Sequence, residues 1–135
     1  MPKNIRCVRG SMAKIRVLIV DDNENFLQLA QMALGSEVYE VYTAADGKEG
    51  FDQARLVKPD IILMDVMMPR VSGLEMMRLL LSDDEVKRIP ILVMTASHFD
   101  PSTEQIFKQE SNVKGFLQKP CPIEVLRSQI ALALK

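Results

Sequence analysis

Five residues with charged or reactive side chains stand directly behind short, mostly apolar runs. Asp21 and Asp22 follow Ile15–Val20, Asp65 follows Ile61–Met64, Thr95 follows Ile91–Met94, and Lys119 follows Gly115–Gln118. Taken singly, each has an ordinary explanation. An Asp pair ahead of a helix commonly caps it, and a Thr or Lys at the end of a strand is commonly a surface residue. Their recurrence behind four runs that contain no acid points instead to one shared site. Carboxylates about 5 Å apart repel by roughly 3 kcal/mol per pair at an effective dielectric of about 20. Lys119 offsets part of that repulsion, and a hard divalent cation with oxygen ligands offsets more. Few carboxylates and open positions suit Mg²⁺, or Mn²⁺ in its place. A metal beside a carboxylate, a hydroxyl and an ammonium is equipment for phosphoryl transfer. Asp65 is then the natural covalent acceptor. The sequence contains neither a Walker P-loop nor a GxGxxG after the first run, so a nucleotide donor and a dinucleotide cofactor are not expected.

Such residues converge only if the runs before them lie side by side. Ile15–Val20 reads as a strand, followed by a helix over Asn23–Leu34 with Phe26, Ala30, Ala33 and Leu34 inward and Gly35 as its stop. Val38–Thr43 is more polar, as an edge strand would be. Gly47–Val57 reads as a second helix closed by Lys58-Pro59-Asp60. Ile61–Met64 and Ile91–Met94 are uniformly apolar, as strands buried on both faces should be. Between them, a loop over Val66–Ser72 leads to a third helix with Leu74, Met77, Leu80 and Leu81 inward. A fourth helix starts at Asp100-Pro101. Gly115–Gln118 is a short fifth strand, and Pro122–Leu134 a last helix striped by Ile123, Leu126, Ile130 and Ala133. Five βα units predict an α/β fold, a parallel sheet with helices on both faces and right-handed crossovers. Ligands of such sheets bind outside the carboxyl ends of the strands, where the five residues stand.

The 135 residues (15.2 kDa) suffice for one domain with a continuous core. Lys and Arg (17) nearly cancel Asp and Glu (18), which argues against direct nucleic-acid binding. No apolar run approaches the roughly 18 residues of a membrane span. Residues 1–11, MPKNIRCVRGS, lack periodicity and end in Gly-Ser, so they read as a cloning leader or disordered arm ahead of a domain over 12–135. Cys7 and Cys121 form no disulfide framework, and the lone His98 builds no multi-histidine metal site. These absences suggest a reducing, cytoplasmic setting. Of the nine methionines, Met32, Met64, Met77 and Met94 fall at core positions. His98 reads as a surface loop residue, and Cys121 as structural rather than as a thiol activated by a helix terminus.

Residues 14–135 resemble the receiver domain of two-component response regulators. The matching pieces are LIVDDN (18–23), ADGKEG (45–50), KPDIILMDVMMPRVSG (58–73), LVMTA (92–96) and GFLQKP (115–120). The resemblance implies a flavodoxin-like, doubly wound sheet of order 2-1-3-4-5. It implies that Asp65 receives a phosphoryl group from a phosphohistidine on a sensor histidine kinase or a histidine phosphotransfer protein. Asp22 would bind the metal directly, Asp21 directly or through water, and the backbone carbonyl of Met67 would complete the protein's ligands. Lys119 would pair with the phosphoryl group, ahead of a cis bond to Pro120. Thr95 and Phe116 match a switch pair, whose hydroxyl moves toward the phosphate as the ring turns inward. The output surface would be the fourth helix, fifth strand and fifth helix, acting on a partner, an output domain or a second copy in a phosphorylation-dependent homodimer. Such a protein catalyses its own phosphorylation and dephosphorylation and is not a conventional enzyme.

Two positions depart from chemotaxis-type members: position 67 is Met, where polar residues are frequent, and position 97 is Ser. Met67 can cover the acceptor without orienting a water, which predicts slower dephosphorylation than in a Met67→Asn variant. The competing reading is a receiver-like interaction or dimerisation module that is never phosphorylated, but such a module has no need of the Asp21–Asp22–Asp65–Lys119 set. A metal-dependent phosphatase of another family lacks its required acid two residues after Asp65.

Overall fold

A computed structural model describes residues 14–34, 38–66, 72–95, 101–119 and 121–134. The predicted leader, the Gly35 helix stop, the Met67 carbonyl, Ser97, His98 and the Pro120 bond lie outside the described residues. In chain order the elements are β1 (Ile15–Val20), α1 (Glu24–Leu34), β2 (Tyr39–Ala44), α2 (Gly47–Val57), β3 (Ile61–Asp65), α3 (Gly73–Leu81), β4 (Ile91–Thr95), α4 (Pro101–Lys108), β5 (Val113–Gln118) and α5 (Ile123–Ala133). All strand pairs are parallel, in the order β2-β1-β3-β4-β5. This is the flavodoxin-like arrangement expected. No helix among the described residues is long and apolar enough to cross a membrane.

Side-chain alternation along the strands explains why β1, β3 and β4 are apolar throughout. Leu18, Val20, Ile62, Met64, Ile91 and Val93 pack on one face with Ala54 of α2, Met76, Met77 and Leu80 of α3 and Phe107 of α4. Val17, Ile19, Ile61, Leu63, Leu92 and Met94 pack on the other with Leu27, Ala30 and Leu34 of α1 and Leu126 and Ile130 of α5. Each aliphatic side chain so buried contributes about 1.5–3 kcal/mol. β2 has only one paired neighbour, and much of its length is half-buried, as its polarity predicted.

The inward face of α1 differs from the expected one. Leu27, Ala30 and Leu34 are buried, Phe26 is half-buried and Ala33 is exposed. Met32 is 79% exposed and is not a core residue. Helical spacing gives the reason: a stripe through 27, 30 and 34 turns position 32 to the opposite side. Met64, Met77 and Met94 are buried as expected, joined by Met76. β5 starts two residues earlier than predicted. Its register on β4 slips between Ile91 and Leu92, so that Leu92 pairs with Gly115 rather than Lys114. A side chain at 115 would press on Leu92 Cδ2 at 3.3 Å, and glycine avoids that contact.

α2 is closed by Lys58 in the left-handed conformation (φ 51°), with its backbone N–H donating to Ala54 O. Ser72 caps α3 in a reciprocal box with Glu75. Gly73 then donates its backbone N–H to Val66 O at 3.0 Å, which seats the start of α3 against the end of β3.

Candidate functional site

The site is built where β1, β3, β4 and β5 end. The Asp21 backbone N–H donates to Ala44 O at 3.0 Å and prolongs the β1–β2 ladder by one rung. Its side chain is fully buried. Asp21 Oδ1 accepts from the Asn23 backbone N–H at 2.9 Å, and Oδ2 accepts from Lys119 Nζ at 2.5 Å. The capping role expected of an Asp pair falls to neither aspartate. Asn23 Oδ1 accepts from the Phe26 N–H at 3.1 Å, and the Asn23 carbonyl accepts from Leu27. Asp22 is thereby left exposed at the rim of the site.

Asp65 is the last residue of β3 and is 5% exposed. Its strand is held by pairing with Met94, and the next residue, Val66, donates to Met94 O at 3.1 Å. Gly73 lies so close that a Cβ there would stand 2.5 Å from Asp65 O. The acceptor candidate therefore has little freedom at its backbone.

One carboxylate oxygen from each of Asp21, Asp22 and Asp65 lies within 4.8 Å of the others. At that spacing each ionised pair repels by about 3 kcal/mol at an effective dielectric of about 20. Among the described residues, the Lys119 ammonium pairs with this cluster. It sits 2.5 Å from Asp21 Oδ2 and 3.8 Å from Asp65 Oδ2. Among the described residues, three carboxylates against one ammonium leave an excess of negative charge, and that imbalance fits a divalent cation. The Lys119 backbone N–H donates to Thr95 O at 2.8 Å, so the lysine and the hydroxyl are held on adjacent strand ends. The ammonium also lies 4.7 Å from the centroid of the Phe26 ring.

Thr95 closes β4, is 9% exposed and pairs with Gln118. Phe116 pairs with Val93, two residues before Thr95, so Thr95 and Phe116 lie on the same face of the sheet. The Phe116 ring is half-buried against the α2–α3–α4 core, and Lys108 Nζ lies 6.0 Å from its centroid.

The structure thus brings together Asp21, Asp22, Asp65 and Lys119, with Thr95 adjoining and Phe116 one strand over. A cleft of about 310 Å³ between Glu24, Gln28, Gln31, Thr43 and Glu49 contains none of these residues. The acid cluster instead gathers at the carboxyl ends of the strands, with Asp21 and Asp65 buried and Asp22 exposed. Three contributors escaped the sequence reading. Asn23 had a legible signal, since Asn before a helix is a favoured cap. Phe26 was assigned to the core stripe, and Gly73 carries no local sign of its contact with Asp65.

The geometry has close counterparts among known proteins. A family model described as "Response regulator receiver domain" matches residues 17–131. The polar-differentiation response regulator DivK of Brucella anthropi is 36% identical over 107 residues, 79% of this chain and 85% of that protein. The response regulator PleD of Caulobacter vibrioides is 41% identical over 105 residues, 78% of this chain but 23% of that protein. The structure of the chemotaxis protein CheY4 of Vibrio cholerae matches with a TM-score of 0.82 at 34% identity, covering 90% of this chain and 100% of that one. The family model and a relative of similar length agree, and the chain belongs to the response regulator receiver domain family of two-component systems.

Proposed function

We propose that Asp65 accepts a phosphoryl group from a phosphohistidine on a sensor histidine kinase or a histidine phosphotransfer protein. The observation that carries this reading is a buried carboxylate at the end of β3, clustered with two further carboxylates and one ammonium. Asp21, Asp22 and Asp65 would hold Mg²⁺, with the Met67 carbonyl as the ligand implied by family resemblance. Bound there, the ion would neutralise charge on the phosphoryl oxygens as the group transfers.

The chain's own residues do the rest. An Asp65 carboxylate oxygen forms the new oxygen–phosphorus bond as the phosphorus–nitrogen bond of the donor breaks. The departing ring nitrogen keeps the bonding electrons, and with its other nitrogen protonated the ring leaves as neutral imidazole. Lys119 donates to a phosphoryl oxygen, a role supported by its nearness to Asp21 and Asp65. Thr95, at the end of the adjacent strand, offers its hydroxyl to another, and Phe116 on the same face follows that movement toward the core. The change is read at α4, β5 and α5 by a partner, an output domain or a second copy. The domain that does this spans residues 12–135 and works in the cytoplasm.

The test is incubation with acetyl phosphate and Mg²⁺, followed by intact mass. The parent gains about 80 Da for one phosphoryl group. Asp65→Asn gains nothing. A gain that persists in the variant sinks the assignment, and no gain in the parent favours a receiver-like module that works by contact alone.

A further inference from the structure

We propose that Phe26 is a positioning residue for phosphoryl transfer, acting through Lys119 by roofing its ammonium with the face of the ring. The proposal rests on the assignment of Asp65 as acceptor. Among the described residues, three groups surround the Lys119 Nζ: Asp21 Oδ2 at 2.5 Å, Asp65 Oδ2 at 3.8 Å and the Phe26 centroid at 4.7 Å. The lysine side chain is only 14% exposed, low for a residue whose head normally stays in water. The ring is itself fixed. The Phe26 backbone N–H donates to Asn23 Oδ1, and its side chain packs against the core shared by α1 and α5.

The chemistry of the contact suits the task. A lysine head has three donors and no acceptor. The negative face of an aromatic ring attracts the ammonium without competing as a strong, directional acceptor. Asp21 takes one donor, and the ring holds the charge in place while a donor remains for a phosphoryl oxygen. A carboxylate in place of the ring would compete for that donor, and an aliphatic side chain would exclude water but attract nothing. Lysine is flexible along its four-carbon stem, so a group that keeps its head over Asp65 raises the fraction of encounters in reactive geometry.

The test uses acetyl phosphate as donor at saturating Mg²⁺. Its phosphorus–oxygen bond breaks to release acetate as the bond to Asp65 forms, with no net proton transfer. Phe26→Leu is expected to slow phosphorylation by about 2- to 30-fold, the range of a partly desolvated cation–ring contact. Phe26→Tyr, which keeps the ring face, should stay within about twofold of the parent. Phe26→Met replaces Phe26→Leu should the latter fail to fold. The Mg²⁺ dissociation constant, by calorimetry, should not weaken more than about twofold in these variants, because no carboxylate is altered. In a Lys119→Ala background, Phe26→Leu should slow the reaction no further. An unchanged rate in Phe26→Leu, an equal loss without Lys119, or a matching loss of Mg²⁺ affinity would each overturn the proposal. A parent that gains no mass overturns the Asp65 reading and this one with it. A parent that reacts at the same rate as Phe26→Leu overturns this one alone.

Discussion

Asn23 does at the head of α1 what the neighbouring aspartates would otherwise do. By accepting from the Phe26 N–H it satisfies the first turn, and by donating to Asp21 Oδ1 it holds that carboxylate toward Lys119. One residue thus keeps Asp21 and Asp22 out of the helix cap and available to a ligand. Cys121 shows the opposite case, where position promises reactivity that the surroundings withhold. It precedes α5, yet burial pushes its thiol above the ordinary range, and its Sγ–H donates to Pro122 O at 3.6 Å. A raised thiol pKa leaves less thiolate at neutral pH, and only the thiolate attacks an alkylating agent. In a Cys7→Ser background, Cys121 should react with iodoacetamide more slowly at pH 7 than in the urea-unfolded chain, with the gap closing as pH rises through the folded value. The same sign governs stability. The contribution is complete below the unfolded pKa and is lost as pH rises through the folded one. Equal alkylation rates in the folded and unfolded chains would refute the assignment.

At the scale of elements, the junction of β3 with α3 fixes the backbone of Asp65. Ser72 caps the helix, Gly73 donates to Val66 O, and the Gly73 Cα faces the backbone of Asp65 and Val66. Two effects oppose each other in Gly73→Ala. Helix propensity favours alanine by roughly 0.5–1 kcal/mol. Against it, the new Cβ would stand 2.5 Å from Asp65 O and 2.9 Å from Val66 Cα, both backbone atoms with no rotamer to yield. Such overpacking costs about 1–3 kcal/mol. The steric term is expected to win, lowering the melting temperature by several degrees at roughly 3–6 °C per kcal/mol for a domain of this size. It should also slow phosphorylation by displacing Asp65. A melting temperature at or above the parent's would show that the junction yields without cost.

The whole molecule carries a net charge of −1, yet its acids are not spread evenly. Asp21, Asp22 and Asp65 meet at one sheet edge with Lys119 set against them. The fold therefore retains a local repulsion that a bound cation would relieve. Binding at tenfold above Kd stabilises by about 1.4 kcal/mol, an upward melting shift on the order of 4–8 °C. Asp22→Ala should remove that shift. Asp22 is exposed, so its loss opens no cavity, and the metal-free variant should melt at or above the metal-free parent because repulsion is relieved. An unchanged Mg²⁺ response in Asp22→Ala, measured by thermal unfolding, would remove Asp22 from the ligand set.

Alternation of strands and helices, and the residues ending each strand, were legible because both are local. A strand buried on two faces must be apolar along its length, and Ile61–Met64 and Ile91–Met94 announce that without reference to any other segment. The break in that pattern marks Asp65 and Thr95 in the same way. The strand order came from resemblance to a family, because chain periodicity does not say which strands are neighbours. Local pattern also misjudged α1, where Met32 fits a helical stripe but not the one that meets the sheet. Tertiary structure alone decided the contacts that span the chain. Lys119 reaches Asp21 across 98 positions, and the Phe26 ring covers the same ammonium. Gly73 closes on Asp65 only because α3 returns to the end of β3. Periodicity is written in neighbouring residues, whereas adjacency across a sheet depends on crossover connections and on which helix face the core accepts.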